Sequence, residues 1–249
     1  MNLIKMKYIA VITIYLFLVV CTSESAAKTQ VQFNQQHFLF ESPPLLSEVL
    51  AKVPNKSNVY WPAAAMFLKS DLKLETSKAK VLTKLTQLAR NKKIADTILR
   101  LEQNVNDWQL AKRLPIAVDY DLARTVNKHN PLVNKGDYIL QASQRSHFVY
   151  IFGAINNDIK QMVPHKSHTP VSDYITKGML STEADMDNLV LIQADGRVMH
   201  VSTVDWNKAR IEIMPGSQIY IPFKTSIWNK QIAWLNQQLV ALAVNRVIQ

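Results

Sequence analysis

The stretch MPGSQIYIPF (Met214–Phe223) repeats the pattern of an earlier stretch, NKGDYILQA (Asn134–Ala142). Each reads as Gly, a small polar residue, a free position, Ile and a second apolar residue. Pro215-Gly216 is typical of a tight turn, because Pro sets its own φ and Gly permits the positive φ of the next position. An apolar strand that follows a glycine twice in one chain indicates that one small module is used twice.

The segments around the first Gly-led strand predict strands and one short helix. VQFNQQHFLF (Val31–Phe40) alternates imperfectly between apolar and polar residues, which indicates a strand pair. PPLLSEVLAKV predicts a short helix, and NVYWP predicts a strand that ends at Pro62. RLPIAVD (Arg113–Asp119) predicts a further strand before the Gly-led one.

A similar order of elements precedes the second Gly-led strand. HFVYIFGAI (His147–Ile155) predicts a strand, and TPVSDYITKGML predicts a capped helix that stops at Gly178. NLVLIQADGRVMHVS predicts two strands around the hairpin dipeptide Asp195-Gly196. The sequence therefore predicts an α+β fold with a first module at residues 28–146 and a second at residues 147–225.

The segment Thr76–Leu110 carries helical rather than strand spacing. Thr76 or Ser77 is the expected N-cap, and the polar segment RNKK separates two apolar stripes. Two amphipathic helices with a short link make a helical hairpin, whose apolar faces cover each other and whose base is fixed by Trp108 and Leu110. This hairpin is an insertion in the first module, at about residues 76–111. The stripes consist of Val81, Leu82, Leu85, Leu88 and Ala89, and of Ile94, Ile98, Leu101 and Val105.

Residues 1–27 are typical of an export signal rather than of a folded element. Two lysines precede an uncharged run of 13 residues, Tyr8–Val20, which is shorter than the about 20 residues of a membrane-spanning helix. The small residues Ser25–Ala27 suit signal peptidase, so the mature chain is expected to begin near Lys28. Lipidation of Cys21, which would tether the protein to a membrane, is the alternative to plain cleavage. Cleavage beyond Cys21 leaves neither a disulfide nor a cysteine-bound zinc.

The charge of the chain predicts anionic partners. Loss of residues 1–27 removes Lys5, Lys7 and Glu24 and lowers the net charge from +10 to +9. Because an exported protein does not meet the genome, acidic polysaccharide or lipid headgroups are expected rather than nucleic acid. The densest basic run, Ser77–Lys93, contains no acidic residue and is either a solvated helical face or part of a binding surface.

The segment SIWNKQIAWLNQQLVALAVNRVIQ (residues 226–249) predicts an amphipathic helix. Its apolar positions Ile232, Leu235, Leu239 and Leu242 lie on one helical face. Such a helix needs a surface on which to dock, and two are open: its own second module, or a partner or membrane. The segment lacks a continuous apolar span of about 20 residues, which argues against a membrane-spanning helix.

Several motifs together carry a resemblance to a known family. VYWPAAAM, RLPIAV, GDYIL, VSDYI, VDWNKARIEIMPGSQIYIPF and LNQQLVALAVNRV follow one order through nearly the whole mature chain. In these motifs the chain resembles the GfcC (YjbG-like) family of capsule and exopolysaccharide biosynthesis proteins. The resemblance implies a periplasmic protein with two β-grasp domains, a hairpin inserted in the first, and a C-terminal amphipathic helix. Those domains are similar to the SLBB-like domains of Wza-type polysaccharide exporters, and no settled catalytic mechanism comes with the family.

Three residues are the candidate ligand-binding set. Arg113 belongs to the RLP motif that the family shares, and an arginine beside an apolar strand can hold a carboxylate or sugar hydroxyls through two parallel hydrogen bonds. The alternative for Arg113 is an ion pair that joins the insertion to its module. Tyr60 and Trp61 can stack on sugar rings, or they can pack in the core before Pro62.

Other polar clusters are weaker candidates. His165 and His168 form a loop H-x-x-H with no nearby carboxylate or cysteine, which is a poor metal signal. Glu183, Asp185 and Asp187 lack the Gly and the terminal Glu of a calcium loop, so a solvated turn is expected. The sequence predicts no metal site and no cofactor.

The expected function is that of an accessory protein that binds polysaccharide, or a polysaccharide export protein, without catalysis. The alternative is a polysaccharide-modifying enzyme with a cleft near Arg113. A glycosidase needs two carboxyl groups at a defined separation, and Asp119 and Asp121 are the acids available nearby.

Overall fold

Two five-stranded β-sheets form the framework of the protein. The computed structural model describes residues 28–156, 161–203, 211–225 and 230–248. The first sheet contains β1 (Thr29–Phe33), β2 (Gln36–Phe40), β3 (Ala65–Leu68), β4 (Lys112–Arg113) and β5 (Gly136–Gln141). The second contains β6 (Phe148–Gly153), β7 (Met162–Pro164), β8 (Asn188–Ile192), β9 (Val198–Ser202) and β10 (Gln218–Ile221). Their strand orders are β2-β1-β5-β3-β4 and β7-β6-β10-β8-β9.

The two sheets share one topology. In the first sheet the Gly-led strand β5 lies in the centre, parallel to β1 and antiparallel to β3. In the second sheet the Gly-led strand β10 lies in the centre, parallel to β6 and antiparallel to β8. The predicted α+β class is confirmed, and the two sheets repeat one order of strands. The module boundaries at residues 146 and 225 stay predictions.

The helices flank the sheets. The short helix α1 begins at Leu46 because the chain turns out of β2 through Pro43 and Pro44, and its buried side chains join Val31 and Met66 in the core of the first sheet. Helices α2 and α3 form the predicted hairpin between β3 and β4, and α4 follows β4. The bounds are α1 (Leu46–Ala51), α2 (Leu72–Leu88), α3 (Ala95–Asp107), α4 (Tyr120–Thr125) and α5 (Lys230–Val244).

The hairpin begins one turn earlier than predicted. The side chain of Asp71 accepts a hydrogen bond from the backbone N–H of Leu74, so Asp71 is the N-cap, and the predicted caps Thr76 and Ser77 lie inside α2. The hydroxyl of Thr76 donates to the carbonyl of Leu72 within the helix instead. An aspartate accepts such a bond without blocking the helix that follows, which explains the earlier start.

The inserted hairpin packs against the second sheet. Its two helices contact each other, as predicted, but their buried side chains also join the core of the second sheet. The ring of Trp108 lies edge-on to Phe152 of β6, at 5.1 Å between centroids. An element that belongs by sequence to the first module therefore completes the core of the second. The buried hairpin residues of this core are Val81, Leu85, Ile98, Leu101, Val105 and Trp108.

Helix α5 docks on its own protein. The predicted apolar face, Ile232, Leu235, Leu239 and Leu242, is buried in the core of the second sheet. On the polar side, the hydroxyl of Tyr220 donates to the side-chain oxygen of Asn236 at 2.7 Å. The sequence left two docking surfaces open: the second module, or a partner or membrane. The structure shows α5 on the second module and, in addition, on the neighbouring hairpin helix α2.

The tail after α5 also reaches the first sheet. Its backbone pairs with the residues before β4, through the amide of Ala111 to the carbonyl of Asn245 and the amide of Val247 to the carbonyl of Gln109. The side chain of Val247 lies in a small cluster with Phe67 and Ile139. The tail thus links both sheets.

Two predicted strands of the first module are placed differently. NVYWP is not a strand: Trp61–Ala63 forms a 3-10 turn with Pro62 in its first positions, and β3 starts at Ala65. Of the alanines that follow Pro62, only Ala65 belongs to β3, which pairs along its length with β5 and, at Phe67 and Leu68, with β4 on the other side. RLPIAVD contributes only Arg113 to β4, since Pro115 has no N–H to continue the ladder.

The predicted helix TPVSDYITKGML is wrong. The segment forms two 3-10 turns, Val171–Tyr174 and Lys177–Met179, with extended residues between them. Val171, Ile175 and Thr176 are β-branched and disfavour an α-helix. The hydroxyl of Tyr174 bonds both the amide and the carbonyl of Lys166, which holds this segment against the preceding loop.

Some predictions fall outside the described residues. These are the export signal with Cys21, the segment VDWNKAR (204–210), and the start of the C-terminal helix at residues 226–229. Among the residues that are described, no helix has the length and apolar character to cross a membrane.

Candidate functional site

A large cleft, here called the central cleft, lies where the two modules and the hairpin meet. It has a volume of about 680 Å³. Its walls come from the first turns of α2, from β4 and the residues after it, from the turn between β8 and β9, and from the last turns of α5. The strand pairing that positions β4 beside β3 therefore also positions one wall of the cleft.

Arg113 is held at the junction of the modules. Its backbone N–H donates to the side-chain oxygen of Asn245 at 2.9 Å, and its Nη2 donates to the carbonyl of Ala194 at 2.8 Å. The guanidinium lies 5.5 Å from the ring centroid of Phe67. Burial lowers the pKa of Arg113, and the nearby charge of Asp195 partly offsets this. Because a guanidinium keeps its proton in proteins, Arg113 remains a cation there.

Arg113 joins the modules without forming an ion pair of its own. In the part of the chain that the structure describes, its partners are a carbonyl, a ring and the more distant Asp195. Asp195 instead contacts Arg197 at 2.6 Å. The ion pair expected as the alternative role of Arg113 is thus replaced by a hydrogen bond to the second module.

The central cleft carries more positive than negative charge. Its lining has two acidic side chains, of which Asp71 contacts Lys112 at 3.5 Å and Asp195 contacts Arg197. Within the described residues, Lys73 and Arg113 of this lining have no carboxylate partner. Two cations without a direct carboxylate partner, together with the open volume, suit an anionic ligand.

A smaller cavity shares Arg113 and Val244 with the central cleft. We call it the two-arginine cavity, because Arg246 of the C-terminal tail is its other basic residue. Sequence reasoning missed Arg246. The sequence did contain one signal for this residue: Arg246 is the one charged side chain between Gln231 and Gln249.

Tyr60 and Trp61 lie at a different place from Arg113. The ring of Trp61 stacks on that of Tyr120 at 6.4 Å between centroids, and Arg145 lies 5.5 Å from the ring of Tyr60. Neither residue lines the central cleft or the two-arginine cavity. The structure therefore does not bring the three candidate residues together, and their role in ligand binding stays a prediction.

The histidines and acidic residues singled out by the sequence have local partners. A ring nitrogen of His165 bonds the carbonyl of Ile213 at 3.0 Å, and His168 lies 3.6 Å from Glu212. Asp185 accepts hydrogen bonds from the amides of Asp187 and Asn188, as expected for a turn. Across the described ranges, no group of three or more His, Cys, Asp or Glu residues is placed to hold a metal ion.

The two acids of the enzyme alternative are not in the central cleft. Asp119 is the N-cap of α4 and accepts a hydrogen bond from the amide of Leu122 at 2.8 Å. Asp121 is exposed in the first turn of the same helix. Neither side chain lines the cleft beside Arg113.

The fold and the cleft define a class of α+β protein in which two sheets of equal topology are joined by an inserted hairpin and a C-terminal helix. The chain belongs to the GfcC capsule biosynthesis family. The model described as "Capsule biosynthesis GfcC, N-terminal" matches residues 23–145, and the model described as "Capsule biosynthesis GfcC C-terminal" matches residues 159–248.

A relative supports this assignment. The chain is similar to YjbG of Escherichia coli strain K12, which carries the description "uncharacterized protein". The two are 28% identical over 200 residues, which is 79% of this chain and 80% of YjbG. Membership of the family indicates a role in capsule biosynthesis.

Proposed function

We propose that this protein is a periplasmic accessory protein of capsule or exopolysaccharide biosynthesis that binds a segment of acidic polysaccharide in the central cleft. The predicted export signal at residues 1–27 and the net charge of +9 that its removal would leave are consistent with such a role. The proposal also treats each sheet as a β-grasp domain of the kind found in polysaccharide exporters. It involves no chemical step.

One observation carries the proposal. The cleft of about 680 Å³ exposes Lys73 and holds Arg113 at its junction with the second module, and neither has a carboxylate partner among the described residues. A guanidinium binds carboxylates and sugar hydroxyls through several donors at once, and an exposed lysine adds long-range attraction. An anionic, hydroxyl-rich polymer can form hydrogen bonds with the guanidinium and is attracted by the lysine.

The test is calorimetric titration of residues 28–249 with polysaccharide purified from the host. Arg113→Ala should weaken binding about tenfold to a hundredfold, since a hydrogen bond to a charged group contributes about 1.5–3 kcal/mol. Lys73→Ala should weaken it severalfold and reduce its salt dependence. Lys73 has no structural hydrogen bond of its side chain in the described residues, so its effect separates binding from folding.

The matched control is Lys92→Ala, which removes an equal charge from the exposed link of the hairpin, outside the cleft. Its affinity should equal that of the wild type. Thermal unfolding of each variant shows whether the fold is kept. Absence of saturable binding to the polymer would refute the proposal and point to a protein of the export machinery as the partner.

A further inference from the structure

The two-arginine cavity has a shape that suits one small ligand. Its volume is about 200 Å³, which is the space of roughly six or seven water molecules at about 30 Å³ each. Exposed Ser143 and Gln144 lie in its lining, so the cavity reaches solvent beside the loop between β5 and β6. The cavity is large enough for one sugar ring and too small for several linked sugar units.

Arg246 is fixed in this cavity by two aromatic rings. Its guanidinium lies 5.0 Å from the ring centroid of Trp108 and 5.5 Å from that of Tyr150. Its Nη1 donates to the side-chain oxygen of Gln218 at 3.3 Å. Trp108 belongs to the hairpin, and Tyr150 and Gln218 belong to the second sheet, so two separate parts of the fold set the position of this cation.

The lining of the cavity contains two arginines and no carboxylate. Within the described residues, neither Arg113 nor Arg246 forms an ion pair. Burial lowers the pKa of both groups, so the environment disfavours their charge, yet a guanidinium cannot give up its proton. The charge of Asp195 offsets this cost only in part for Arg113, and an anion bound between the two partly buried cations would offset more of it.

Both guanidinium groups keep donors for a ligand. A guanidinium has five N–H donors, and the hydrogen bonds described above use one on Arg113 and one on Arg246. The hydroxyls of Ser143 and Ser146 and the amide of Gln144 stand in the same lining. The cavity thus offers charged donors for an anionic group and neutral groups for hydroxyls.

We propose that the two-arginine cavity binds one carboxylate-bearing sugar unit, a uronic acid residue, with Arg113 and Arg246 holding its carboxylate. This inference rests on the proposed function, because it names the chemical class of the ligand that Arg113 takes. Arg246 is a specificity-determining residue in this account. The size of the cavity selects a terminal or branch residue of an acidic polysaccharide, since the interior of a chain would need an exit at both ends.

The test is calorimetric titration of residues 28–249 with glucuronate, glucose and glucose 1-phosphate at low ionic strength. Glucuronate should bind at least tenfold more tightly than glucose, which lacks the carboxylate, and more tightly than the phosphate. Arg246→Gln should weaken glucuronate binding at least tenfold. Arg246→Lys should lose part of the affinity, because lysine keeps the charge and the apolar stem but not the planar pair of donors.

The control is Arg124→Gln, since Arg124 is an exposed arginine that also lies on an aromatic ring, that of Tyr120, but outside the cavity. Its affinity for glucuronate should be unchanged. Comparison of the three ligands on the wild type needs no variant, so the proposal stays testable if Arg246→Gln fails to fold.

Three results would overturn the inference: equal affinities for glucuronate and glucose, tighter binding of the phosphate, or wild-type affinity in both Arg246 variants. Absence of saturable glucuronate binding in the millimolar range would do the same. Intact polymer that binds the wild type and Arg246→Gln equally would keep the proposed function and reject this inference. Glucuronate binding without polymer binding would reject the proposed function and keep the cavity assignment.

Discussion

At the scale of single residues, Gly196 decides where Arg113 can lie. Its φ is +92°, in the region that favours glycine. A Cβ at this position would lie 2.6 Å from Nε of Arg113 and 3.0 Å from its Cδ. The dipeptide Asp195-Gly196 therefore serves the β8–β9 turn and also makes space for the arginine of the other module.

Gly196→Ala should destabilise the protein by at least about 1 kcal/mol, because a side chain disfavours the positive φ and collides with Arg113. The displaced arginine should also bind polysaccharide more weakly. Urea unfolding and calorimetric titration measure the two effects.

Gly178→Ala is the matched control, because nothing lies within 4 Å of a Cβ there and its φ is not in the glycine region. It should change the free energy of unfolding by less than about 0.5 kcal/mol. Equal effects of the two substitutions would show that Gly196 does not position Arg113.

At the scale of elements, the hairpin and α5 belong to the core of the second sheet. Leu101 and Val105 of α3 and Leu235 and Leu239 of α5 are buried in one cluster with that sheet. The amphipathic pattern of each element predicts a buried face, but not which surface covers it. Here the faces cover each other and the sheet, so α5 is part of the fold.

Leu239→Ala should lower the free energy of unfolding by about 2–5 kcal/mol, the usual cost of removing a fully buried leucine. The measurement is the midpoint of urea unfolding, with the slope compared between variants. Gln237→Ala, at an exposed position of the same helix, should stay within about 0.5 kcal/mol of the wild type. A small effect of Leu239→Ala, equal to that of Gln237→Ala, would mean that the helix is free for another partner in solution.

At the scale of the whole molecule, the chain crosses between the two modules more than once. The hairpin leaves the first sheet after β3, enters the core of the second sheet and returns at β4. The C-terminal tail runs from the second core to Phe67 and Ile139 of the first sheet. Neither sheet keeps its full core without the other.

Residues 28–249 should therefore unfold in one cooperative thermal transition, with equal calorimetric and van't Hoff enthalpies. Scanning calorimetry of residues 28–249 makes this measurement. The double variant Leu101→Ala/Val105→Ala should shift that single transition to a lower temperature. Two separate transitions in the wild type would show that the sheets are independent despite the shared hairpin.

Local signals were sufficient for several elements and for the position of one candidate residue. The strand pair β1–β2, the central strands β5 and β10 and the turn at Asp195-Gly196 were predicted from alternation and turn residues, which act over a few positions. Arg113 was predicted at the foot of the hairpin, where it lies. Arg246 was not predicted, because its position depends on contacts with Trp108 and Tyr150, which are distant in the chain.

The sequence by itself determined the α+β class, the repeated Gly-led strand, the hairpin and the apolar face of α5, because each depends on the spacing of neighbouring residues. The tertiary structure alone decided that Ala65–Leu68 pairs as a strand, that TPVSDYITKGML is no helix, and which surface covers the hairpin. It also decided that Arg113 and Arg246 share one cavity. The physical reason is that strand pairing, burial and the meeting of charges depend on residues far apart in the chain, which local spacing does not encode.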